Sequence, residues 1–200
     1  MKHLLTIASI LLIFFRLSAQ SDGLVASYFD SPVNDDKLVH SSGSADIASS
    51  SAWKHIKTAL QYDQADDLEK AIKEYSKAIA LDNGIAEAYD YRAVCYIKLR
   101  KYTKAFRDLE EAIDLNSGFV EAYNHLGIVS YWLDEYQDAI NCYTKAILLN
   151  PEYATPYFNR AIVYMANDED DLAYKDLIKA KELNLPGVDA VLNEFFKDKK

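Results

Sequence analysis

Two hundred residues, half of them apolar, carry 22 Lys and Arg against 31 Asp and Glu, for a formal net charge of −9. That content suffices for the core of one domain of about 150 residues. The acidity argues against nucleic acid and against anionic membrane surfaces, both of which attract basic proteins. It leaves room for a cationic partner, with solubility as the plainer reason for the charge.

The chain opens on Met1-Lys2-His3, an apolar run over residues 4–15, and Leu17-Ser18-Ala19. This order predicts a signal peptide over residues 1–19, cleaved after Ala19, and an exported protein, periplasmic or extracellular. Twelve apolar residues are too few to span a bilayer, so no stable membrane insertion is expected after cleavage. Arg16 beside the cleavage site is atypical, and a retained leader would leave the chain membrane-tethered. No Cys follows the apolar run, which excludes a lipoprotein anchor. Residues 20–51 read as a Ser-rich disordered linker broken by one apolar island at residues 24–29.

From Ala52 onward one 34-residue unit recurs four times without insertion or deletion. Ala71, Ala105, Ala139 and Ala173 hold position 20 of the units 52–85, 86–119, 120–153 and 154–187. Ala78, Ala112, Ala146 and Ala180 hold position 27, and Ala59, Ala93, Gly127 and Ala161 hold position 8. A period of this size signals stacked units, each too small to bury its own apolar face. Within a unit the apolar spacing predicts two helices, as with Tyr89, Ala93 and Tyr96 followed by Ala105, Leu109, Ala112 and Ile113. A polar turn separates them: Asp66-Asp67, Arg100-Lys101, Asp134-Glu135 and Asp168-Glu169. Leu81, Leu115, Leu149 and Leu183 occupy position 30, and Asn83, Ser117 and Pro151 mark the helix stop at position 32. After the last unit, residues 186–200 predict a short capping helix with Val191 and Phe195 inward, ending in a charged tail.

This pattern resembles the tetratricopeptide repeat (TPR) family. The third unit carries it best, with Tyr123, Leu126-Gly127, Tyr136, Ala139, Tyr143, Ala146 and Pro151. The fourth departs most, with Asp170 where an aromatic is usual and Leu185 in place of Pro. The resemblance implies an all-α fold: a right-handed α-solenoid of four helix-turn-helix units over residues 52–185, plus the C-terminal capping helix.

The resemblance also implies a concave groove lined by the first helices, in which a peptide or protein segment binds. The residues so placed are Leu60, Val94, Ile97, Asn124, His125, Ile128, Tyr131, Trp132, Phe158, Asn159, Ile162 and Met165. Aromatic and Met anchors beside a few polar groups suit a binding hot spot. The positions at which some family members grip a C-terminal carboxylate lack cations here, and Asp90 and Glu121 would repel such a ligand.

Elsewhere the chain carries little chemistry. Cys95 and Cys142 fall on packed positions of different layers, where thiols act as small hydrophobes. The histidines at 40, 55 and 125 have no metal-cage spacing, and the acidic run at residues 168–171 lacks the alternating ligands and Gly of a calcium loop. No nucleophile–base pair or phosphate loop is evident. The expectation is a non-enzymatic interaction scaffold with no cofactor and no catalytic or metal residues, and with self-association open. The alternative is an accessory subunit of an envelope or secreted enzyme complex, using the convex face or ends of the solenoid.

Overall fold

The computed structural model describes residues 44–197. Among the described residues there are nine helices and no strand: α1 Ser44–Gln64, α2 Leu68–Leu81, α3 Ala86–Lys98, α4 Tyr102–Leu115, α5 Val120–Trp132, α6 Tyr136–Leu149, α7 Ala154–Ala166, α8 Asp170–Glu182 and α9 Val188–Phe195. The chain divides into two compact units at Cys142–Tyr143, within α6. The expected signal peptide, most of the linker and the island at residues 24–29 lie outside the described residues.

One boundary differs from expectation. The linker was to run to residue 51, whereas α1 begins at Ser44. The reason is the stripe Ala52, Ile56 and Ala59, which extends one turn back to Ala48. Ala48 borders a pocket that it shares with Ile79 and Leu81 of α2, so a partner surface exists for that extra turn.

In the first unit α1 packs on α2, α2 on α3, α3 on α4 and α4 on α5. The register of small residues is the reason these helices approach closely: every alanine at positions 8, 20 and 27 has no exposed surface. Larger side chains fill the space left, with Ile56, Tyr75 and Cys95 in one cluster and Leu109 and Val129 in the next. Tight turns close each helix pair. Asp66, Arg100 and Asp134 take left-handed φ of 57°, 55° and 62°. The following amides of Asp67, Lys101 and Glu135 donate back to the carbonyls of Tyr62, Tyr96 and Ser130 at 2.9, 2.8 and 2.9 Å, which satisfies the last turn of each first helix. Between pairs, the Asp82 and Asn116 side chains accept from the amides of Gly84 and Gly118 at 3.0 and 3.1 Å and turn the chain for the next helix.

The second unit repeats this construction. α7 packs on α8, and Asp168 adopts φ 61° while the Glu169 amide donates to the Tyr164 carbonyl at 2.9 Å. Gly187, at φ 82°, opens α9, a conformation that a residue with a Cβ resists. α9 buries Val188, Val191 and Leu192. The expected inward Phe195 is only half-buried. Phe196 is buried instead, because the helix unwinds after Phe195 and turns that ring onto Tyr174, 5.5 Å away between centroids.

Candidate interaction surface

The residues expected to line a groove separate into two sets. In the first unit Leu60, Ile128 and Tyr131 are half-buried and Trp132 is 39% exposed, so these four present accessible apolar surface. Val94, Ile97, Asn124 and His125 are buried. In the second unit Met165 is half-buried, while Phe158, Asn159 and Ile162 are buried. The seven buried residues are therefore corrected from ligand contacts to packing. On α5 and α7 positions 5 and 6 are buried (Asn124 and His125, Phe158 and Asn159), whereas Lys57 at position 6 on α1 is exposed.

His125 shows what that packing does. Its Nδ1–H donates to Asp90 Oδ1 at 2.7 Å, joining α5 to α3, with His125 4% and Asp90 2% exposed. Burial by itself would lower the imidazole pKa, but the Asp90 carboxylate, by charge and by hydrogen bond, holds it above the usual histidine value. A raised folded pKa means the pair stabilises the fold fully below the unfolded value of about 6.5 and loses that stabilisation as pH rises through the folded value. The melting temperature should accordingly fall as pH rises above about 6.5, and His125→Gln should be less stable at neutral pH and lack that decline. Thermal melts across this range by circular dichroism check both points.

A second acid–base pair joins α1 to α3, with Lys98 Nζ donating to Asp63 Oδ1 at 2.6 Å. These two bonds tie up Asp63, Asp90, Lys98 and His125 in holding first helices together. Lys98 and His125, the cations these two bonds engage, are thus paired internally.

At the end of α5 four rings collect. Trp132 stacks on Tyr102 of α4 at 5.8 Å and 3°, and Tyr131 meets it edge-on at 5.7 Å and 71°. Tyr136 backs Tyr131 at 5.7 Å, and its hydroxyl donates to Asp134 at 3.1 Å. Trp53 packs partly buried against the first core cluster.

Sequence reasoning missed a repeated ion-pair device. In the first unit Arg92 donates through Nε and Nη2 to both Asp108 oxygens at 2.7 Å, and through Nη1 to Ser76 Oγ at 2.9 Å. In the second unit Arg160 makes the same three bonds, to Asp176 at 2.7 and 2.9 Å and to Thr144 Oγ1 at 2.8 Å. Each guanidinium also lies near rings, Arg92 by Tyr89 and Arg160 by Tyr157 and Tyr164. The signal was present: Tyr89, Arg92, Ala93 and Tyr96 recur as Tyr157, Arg160, Ala161 and Tyr164, at twice the repeat step. Each device ties a second helix to the following helix pair.

The thiols are quiet. Cys95 and Cys142 are unbridged, and burial pushes both up to about 12, so neither carries an appreciable thiolate at neutral pH. Among the described residues no group of three or more His, Cys, Asp or Glu side chains is placed to hold a metal ion, and no helix is long and apolar enough to cross a membrane.

Comparison with known proteins agrees with this geometry. Residues 86–119 and 120–153 each match a tetratricopeptide repeat model. No curated protein matches the sequence. Among solved structures, the chain is similar to a crystal structure of MamA at 28% identity and TM-score 0.63, over 66% of this chain and 78% of that one. A further MamA structure aligns over 90% of this chain and 89% of its own at 23% identity and TM-score 0.61. The first TPR of Spaghetti (RPAP3), solved bound to the HSP90 peptide SRMEEVD, aligns over 60% of this chain and 95% of its own at 22% identity and TM-score 0.59. The fold is the all-α, TPR-type fold, and the chain carries two tetratricopeptide repeats, at residues 86–119 and 120–153.

Proposed function

We propose that this protein is a non-enzymatic interaction scaffold that binds a peptide or protein segment along its first helices, and that the units at 52–85 and 154–187 are further repeats of the same kind. The observation that carries this reading is the accessible apolar surface of Leu60 on α1 and of Ile128 and Tyr131 on α5, two first helices each tied to the intervening α3 by the Asp63–Lys98 and Asp90–His125 bonds. Preorganised apolar surface of this kind binds with little ordering cost. Peptide-bound neighbours of the same fold support a peptide ligand in general. A ligand resembling the peptide SRMEEVD is disfavoured at this wall, because Asp90 and His125 are paired internally and Glu121 adds negative charge nearby. We propose export as the setting in which the partner is met, from the signal-peptide pattern of the sequence over residues 1–19.

Affinity purification with the full chain tests the reading. Partners held by the wild type should fall about tenfold in recovery with Leu60→Ala/Ile128→Ala, which removes about 1–2 kcal/mol of contact. The melt of that variant shows whether the fold survives. Equal recovery by a folded variant would shift the contact to the second helices, where Leu148 is 73% exposed and favours the accessory-subunit alternative.

A further inference from the structure

The turn between α3 and α4 stands apart from the other turns inside helix pairs. Three of those turns are acidic, and this one is Arg100-Lys101, followed one turn later by Lys104. All three cations are exposed, and none enters an ion pair among the described residues. Lys104 lies over the Tyr96 ring, 5.6 Å from its centroid. Arg100 acts on Tyr102: burial raises that hydroxyl's pKa, and the guanidinium opposes the rise. Tyr102 in turn carries the stacked Trp132, and Leu133 beside the indole is 37% exposed. Unneutralised cations and a braced, accessible indole thus share one end of the first compact unit.

We propose that this end is a docking surface for an acidic protein segment carrying one aromatic or aliphatic anchor. The anchor covers Trp132 and Leu133, and the segment's carboxylates face Arg100, Lys101 and Lys104. The indole is held from one side by Tyr102 and at its edge by Tyr131, so binding costs little side-chain freedom. Asp134, Glu135 and Asp138 lie just past Leu133 in the chain. They set the polarity: acids toward the α3–α4 turn and none beyond the anchor. They also make the surface a poor fit for a polyphosphate strand, despite the ring available for base stacking. The chain's overall negative charge does not prevent this, since exposed charges more than about 8 Å apart are largely screened at physiological salt. Tyr131 belongs to both surfaces, but Leu60 and Ile128 take no part here, so Leu60→Ala/Ile128→Ala tests the first-helix wall and the turn variant below tests this surface.

The repeat itself supplies the test. Asp-Glu occupies the same two turn positions at Asp134-Glu135 and Asp168-Glu169, with the same left-handed backbone at Asp134 and Asp168. Arg100→Asp/Lys101→Glu therefore transplants a turn this fold already uses and reverses its charge. In the full chain with Trp53→Phe, Trp132 is the one remaining tryptophan. Titration with the blocked peptide Glu-Asp-Glu-Leu-Phe-Gly should shift its emission. The turn swap should weaken that binding by about tenfold or more, and added salt should weaken it in the wild type. The peptide with Lys in place of its acids should not bind. No emission shift, equal binding of the Lys peptide, or undiminished binding by the folded turn swap would overturn the proposal. Preferential binding of oligouridylate would overturn it in favour of a nucleic-acid ligand.

Discussion

Arg92→Met should destabilise the protein by about 3 kcal/mol, read as a lowered urea midpoint in full-chain denaturation. The loss comes less from the bond than from what it leaves behind. Asp108, with its side chain only 9% exposed, would keep a carboxylate without the two guanidinium donors that satisfy it, while Ser76 Oγ would keep only its bond to the Ile72 carbonyl. The Arg92 side chain is 17% exposed, so water reaches part of the site and keeps the figure at the lower end for a buried pair. The double variant Arg92→Met/Asp108→Leu should recover much of the loss, because apolar groups of similar size leave no orphaned charge. If the single variant matched the wild type, the device would be a solvated surface pair.

Ala139→Leu should cost about 1–3 kcal/mol, through overpacking. Ala139 has no exposed surface at its position in α6. Three methyl-sized groups added there have no void to enter, so side chains leave their rotamers or the helix shifts. Gln137→Leu, on the exposed side of the same helix, should leave the midpoint within about 0.5 kcal/mol and serves as the reference. Equal midpoints for the two variants would contradict the role assigned to position 20.

Whatever depends on neighbours in the chain, or on strict recurrence, was legible in the sequence. The period, the small residues at positions 8, 20 and 27 and the place of each polar turn all follow from spacing, since a helix crossing demands the same small side chain each time it recurs. The composition of those turns was visible too, although only the backbone shows that Asp66, Arg100, Asp134 and Asp168 all take the same left-handed conformation. Even the Arg92 and Arg160 devices left a trace, hidden because they recur at twice the expected step.

Tertiary structure decided the character of the surface. Asn124 and Ile128 lie one helical turn apart on α5, yet the first is fully buried and the second half-buried. His125 read as a groove residue until its partner Asp90, a full repeat away, drew it into the interior. Trp132 likewise depends on Tyr102, which belongs to the preceding helix pair. A repeat determines where each helix packs from its own spacing. Burial, charge pairing and exposed rings instead depend on which side chain the adjoining helix presents, and that is set only when the helices meet.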